Sequence, residues 1–132
     1  MIRSVLSFAL CAFFWAVPGH SFAANWTVAD LGRVDRNNHC LQAASDTFHH
    51  LLAEAGIAAI RRNDWVVYAD NINARHDALI TCTFGDNRGT RATLLIHTKV
   101  QSVRATMLRR RIEQIFTANA RRIRKEWVES FK

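Results

Sequence analysis

Histidines, cysteines and scattered carboxylates are the residues of this 132-residue chain with chemistry within reach. Imidazole nitrogen suits zinc and copper, so the spacing of the histidines decides whether a metal could be held. On a helical wheel His39, Asp46 and His50 fall on one side, and Asp46 and His50 stand one turn apart. His39 lies about 10 Å along the axis from Asp46, too far for the three to share an ion without a ligand from another segment. His76 and Asp77 in a polar stretch, and His97 beyond it, are the further contributors. No His-x-x-x-His pair occurs, and surface histidines account for the same residues. A metal-binding or hydrolytic protein built on His39, Asp46 and His50 is therefore the alternative reading, and no cofactor is implied.

Nucleophilic chemistry finds less support. Ser45, Ser102 and Ser130 do not lie in a Gly-x-Ser-x-Gly elbow, and Gly85 and Gly89 are not followed by the Lys-Ser/Thr of a phosphate loop. Asp70, Asn71, Asn73 and Asp77 lack the alternating acids and closing Glu of a calcium loop. The Asn25-Trp26-Thr27 sequon would stand at the start of a processed chain. No catalytic motif is found, and the chain is expected to be a binding protein and not an enzyme.

The thiols speak to compartment. Residues 1–23 have the layout of a secretory signal: Arg3, an apolar run of roughly 13 residues that is short of the ~20 needed to span a bilayer, a break at Pro18-Gly19, and Ser21-Phe22-Ala23 before the cut. Cleavage after Ala23 removes Cys11 and leaves one exported domain, 24–132, in the periplasm or outside the cell. Cys40 and Cys82 are then the only thiols in a compartment where disulfides persist. Their bridge would close a loop of roughly 40 residues, worth about 4 kcal/mol by chain entropy. No Cys-x-x-Cys suggests redox work.

These residues need a scaffold, and hydrophobic periodicity supplies one. Trp26, Val28 and Leu31, stopped by Gly32, predict a short first strand. Leu41, Ala44, Phe48, Leu51, Leu52 and Ala55 recur at three and four, predicting a helix over 39–55 with Asn37 or Asn38 as N-cap and Gly56 closing it. Residues 65–69, rich in β-branched and aromatic side chains, predict a strand, and 70–77 a loop. Residues 78–84 and 90–100 form a hairpin, with Ala78, Ile80, Cys82 and Phe84 on one face and Ala92, Leu94 and Ile96 facing inward beside them. Ser102 caps a final helix whose stripe is Leu108, Ile112, Ile115, Phe116, Ile123 and Trp127. Trp26, Trp65, Trp127, Phe48, Phe84 and Phe116 all read as inward-facing. Tyr68, Leu79, Thr81, Leu95 and His97 fall on the sheet's second face, with no helix left to cover it.

The order β-α-β-β-β-α describes a small single α+β domain, a mainly antiparallel sheet with two helices packed on one face. The first helix can then bring Cys40 to Cys82. The net charge is +7, and from residue 103 on Arg104, Arg109, Arg110, Arg111, Arg121, Arg122, Arg124, Lys125 and Lys132 face only Glu113, Glu126 and Glu129. The last helix thus carries the excess. Arg110, Arg111, Arg121, Arg122 and Lys125 lead a basic face suited to an anionic envelope surface or an acidic protein, since guanidinium forks bind phosphate and carboxylate. A charged face also simply keeps a small protein in solution. Export removes nucleic acid as a partner, and no aromatic platform interleaves with the basic residues. Inhibition of an acidic exported enzyme is a further binding role the charge permits.

Overall fold

The computed structural model describes residues 25–85, 89–100 and 102–132. The expected signal segment, 1–23, lies outside the described residues, as do 86–88 of the expected turn. In chain order the elements are β1 (Asn25–Val34), α1 (Asn37–Ala55), β2 (Ala59–Arg62), β3 (Val66–Ile72), β4 (His76–Phe84), β5 (Thr90–Thr98) and α2 (Thr106–Glu129). The five strands form one sheet in the order β1-β5-β4-β3-β2, antiparallel throughout. Both helices pack on one face of it, so the α+β class and its layering stand as the periodicity implies.

Alternation decides which side chains meet the helices. Ile80 pairs with Leu94 and Ala78 with Ile96, so these four share a face, which Ala29 of β1 and Val67 and Ala69 of β3 extend. Phe48 and Leu51 of α1 and Ile112, Phe116 and Ile123 of α2 close over it. All are buried. Cys82, on the same face of β4, is bonded to Cys40 in the first turns of α1, with the Cα atoms 6.0 Å apart and 42 positions between them in sequence. The bridge therefore fixes the N-terminal end of α1 to the sheet centre.

Several boundaries differ from the sequence expectation. A fifth strand, β2, pairs with β3 from Ala59↔Asp70 to Arg62↔Val67. It is an edge strand with only Ile60 turned toward the core, so its apolar signal is a single residue. The stretch 70–77 is mostly strand, with Asn71 of β3 at positive φ where the pairing with β4 slips, and it closes in a tight turn in which Asn73 and Ala74 also take positive φ. Neither Asn37 nor Asn38 is the N-cap of α1: Arg36 precedes the helix in extended conformation without a side-chain bond, and Asn38 accepts from the adjacent His39 N–H. Likewise α2 begins at Thr106, after Ala105, and not at Ser102.

Three aromatic residues expected inside are outside. Trp26 is 53% exposed, Trp65 51% and Phe84 81%. Trp26 pairs in register with His97 on the face away from the helices, because Ala29, not Trp26, has the parity of the core. Phe84 ends β4 beyond the helices' reach, although its parity matches Cys82. Phe48, Phe116 and the half-buried Trp127 pack as expected.

Candidate functional site

The metal-ligand trio does not assemble. His39, in the first turn of α1, is buried with its ring edge-on to Trp127 of α2, centroids 5.7 Å apart. Asp46 accepts from Arg122 at 2.7 Å, and His50 Nε2 meets Glu54 at 3.1 Å. Among the described residues no group of three His, Cys, Asp or Glu side chains is placed to hold an ion.

The basic face of α2 divides in two. On its flank toward α1, Arg111 grips Glu54 through Nε at 3.0 Å and Nη2 at 2.5 Å, a two-pronged contact that holds the Glu54 carboxyl below its ordinary range. Arg122 joins Asp46 and, one turn along its own helix, Glu126. These arginines clamp helix to helix. On the outward flank, Arg110 and Arg121 are exposed and have no acid partner among the described residues, while Lys125 has only a 3.9 Å approach to Glu129. Met107, 84% exposed, and Val128 lie on the same outward stripe, so cations and apolar side chains share it.

A second surface is the sheet face that no helix covers. Trp26 stacks tilted on His97 at 4.8 Å, Val28 stands exposed beside them, and Leu79, Leu95 and Tyr68 are half-buried across β4, β5 and β3. Its charges come in pairs: Asp30 with Arg91, Asp70 with Arg61, and Asp77 with Lys99 at 2.8 Å. The Arg91 bond and the Gly32 N–H hold the Asp30 carboxyl low. Burial pushes Asp77 up, but the Asn71 N–H and Lys99 outweigh it and leave that carboxyl below its usual range. At the end of β4 and β5 nearest this pair, His76 is buried with Nδ1 3.2 Å from Thr98 Oγ1. Burial, then the Arg75 charge, pull its pKa down against the pull of Asp77.

Two concavities complete the surface. An open groove of about 990 Å³ runs beside the disulfide between the start of α1 and the β2–β3 turn, walled by Trp65 and Phe84. Asn63 shapes that turn by accepting from the Trp65 and Val66 N–H groups. A smaller cavity of about 200 Å³ lies between the end of β1 and α2, lined among others by Val34, His39, Phe116, Arg121 and Arg124. The sequence singled out Arg121 by charge and His39 by residue type.

Fold and surfaces together define a small α+β domain, five antiparallel strands backed on one face by two helices, the first of them anchored to the sheet by the disulfide. Comparison of the chain with protein-family models, curated proteins and solved structures finds no match in any of the three.

Proposed function

We propose that this chain is an exported, disulfide-stapled binding domain of the periplasm or the extracellular space that adsorbs through α2 to an anionic envelope surface. The observation that carries this reading is the outward flank of α2, where Arg110 and Arg121 are exposed without an acid partner among the described residues. Export is supported by the signal-like residues 1–23 and by the Cys40–Cys82 bridge, which persists in oxidising compartments. Among the described residues no helix is long and apolar enough to cross a membrane. The buried stripe of α2 is committed to the core, so attraction comes from charge, with Met107 and Val128 adding shallow apolar contact. An acidic protein offers the same charge and is the partner to test if lipid fails.

The test is sedimentation with vesicles of phosphatidylglycerol in phosphatidylcholine across a salt series. Adsorption falls steeply as the Debye length drops from ~10 Å at 0.1 M to ~3 Å at 1 M, and is absent on pure phosphatidylcholine. Each cation near such a surface contributes about 1 kcal/mol, so Arg110→Gln with Arg121→Gln weakens binding about thirtyfold. Binding that ignores salt, or no binding, overturns the reading.

A further inference from the structure

The groove beside the disulfide has walls that the fold ties together. The Cys40–Cys82 bridge fixes the start of α1 to β4, and Asn37 Nδ2 donates to the Asp64 carbonyl at 3.1 Å, joining α1 to the β2–β3 turn. Cys82 N–H donates to the Trp65 carbonyl at 2.7 Å, so Trp65 stands opposite Cys82 and one diagonal step from Phe84. Diagonal neighbours lie about 7–8 Å apart. Both rings have the parity of the core positions Val67 and Cys82, yet both stay exposed, and exposed apolar side chains grouped on one face mark a binding surface. Asn38, Arg62 and Asp64 stand around them, exposed, and the Arg62 and Asp64 side chains form no hydrogen bond or ion pair among the described residues. The backbone of the groove is already satisfied: the Trp65 and Val66 N–H groups go to Asn63 Oδ1, Asn63 N–H to the Val66 carbonyl, and Gly85 N–H to the Gly89 carbonyl. A peptide strand therefore finds no ladder to extend there, and recognition falls to the side chains.

We infer that this groove binds an uncharged, β-1,4-linked oligosaccharide. The charge argues for a neutral ligand, since Arg62 and Asp64 cancel and the other polar side chains among the described lining residues are uncharged. A sugar ring with equatorial hydroxyls shows flat C–H faces, and their weakly positive hydrogens stack on the negative faces of aromatic rings. Its rim of hydroxyls both donates and accepts. That rim suits a guanidinium that only donates, a carboxylate that only accepts and an amide that does both. Two aromatic side chains on one sheet face fit a flat, extended chain, which β-1,4 linkage gives and α-1,4 linkage, being coiled, does not. The volume of about 990 Å³ stands at the top of the roughly 300–1,000 Å³ of ligand sites, so the occupant is an oligomer and not a single sugar. The inference goes beyond adsorption through α2 and rests on different residues.

The test follows amide signals and the Trp65 indole N–H of the disulfide-intact protein during titration with cellotetraose, chitotetraose and maltotetraose. Saturable shifts confined to 37–41, 62–66 and 82–85 are expected with a β-linked sugar. Binding of either one supports the inference, and the tighter of the two tells whether an acetamido group is read. The affinity is expected to hold between about 0.1 M and about 1 M salt, unlike adsorption driven by charge. Phe84→Ala, which removes a largely exposed ring and leaves the core alone, weakens binding about tenfold, as does Trp65→Ala. Should Trp65→Ala fail to fold, Phe84→Ala carries the test. Arg110→Gln with Arg121→Gln leaves sugar binding unchanged. Absence of saturation with both β-linked sugars overturns the inference, as does equal binding of maltotetraose or unchanged affinity in Phe84→Ala. Saturable shifts of the same residues with tetra-alanine and none with sugar would also overturn it and make the groove a peptide site. Vesicle adsorption is measured separately, so the groove and the α2 surface can each fail alone.

Discussion

Arg122 of α2 donates to Asp46 of α1 at 2.7 Å across 76 positions of sequence, so a basic residue suited to external anions and an acid suited to a metal satisfy each other. Arg111 and Glu54 repeat the arrangement two turns away along α1, with His50 on the same carboxylate. The helices are thus joined over their apolar seam by paired charges. The cations left to meet a partner are those on the other flank.

Two arginine variants should therefore separate binding from stability. Arg110→Gln with Arg121→Gln is expected to weaken vesicle adsorption and leave the unfolding midpoint unchanged. Arg122→Gln should lower stability by no more than about 1 kcal/mol, since both partners are partly exposed and screened by solvent, and should affect adsorption less. Adsorption isotherms and thermal unfolding of both variants check this; equal loss of adsorption in both would mean the paired flank is also in contact.

The disulfide makes a larger difference. Cys40→Ala with Cys82→Ala opens a 42-residue loop and is expected to cost up to about 4 kcal/mol, a large share of the roughly 5–15 kcal/mol that keeps a domain folded. Denaturant titration of the variant beside the oxidised protein measures it. Loss of the bridge also frees the first turns of α1, so His39 and the cavity wall should lose amide protection before the sheet does.

How much of this was readable in advance follows from what alternation can report. In β4 and β5 it separated two faces and set Ala78, Ile80, Cys82, Ala92, Leu94 and Ile96 together, which is enough to place the bridge and the layers. It could not tell which face a helix covers at β1, so Trp26 was assigned inside although only Ala29 has the core's parity. The edge strand β2 left no periodic trace because one of its four residues turns inward. For the site, charge counting marked Arg121 and Arg122 alike. Their different fates depend on Asp46 lying across the helix seam, a long-range pairing that a one-dimensional count does not contain.

Acid should destabilise the domain in two stages. The buried His76 has its pKa lowered from 6.5 by burial and by Arg75, so the folded state keeps it neutral where the unfolded chain takes up a proton. Its contribution is complete above 6.5 and declines as pH falls from there toward the depressed folded value. Asp77 acts lower: its carboxyl is held below 3.8, so its stabilisation is present above 3.8 and is lost as pH falls through the folded value. Unfolding midpoints between about pH 8 and pH 5 test the first stage. His76→Gln, which can still reach Thr98 Oγ1, should flatten that part of the curve, and an unaltered slope would assign the sensitivity elsewhere.

Gly89 is the residue on which the far end of the β1–β5 pair depends. It adopts φ +101°, and a Cβ there would lie 2.7 Å from the Val34 carbonyl oxygen, a backbone atom held by the register Val34↔Thr90. Neither the torsion nor the neighbour can yield cheaply, so Gly89→Ala is expected to cost about 1–3 kcal/mol. Because Val34 also lines the small cavity, the same substitution should shift the amide signals of 31–35, whereas Gly56→Ala, with open space around its Cβ, strains only its own helix end. Amide spectra and unfolding midpoints of the two variants decide whether Gly89 holds the end of β1 in register: equal effects of both substitutions would mean it does not.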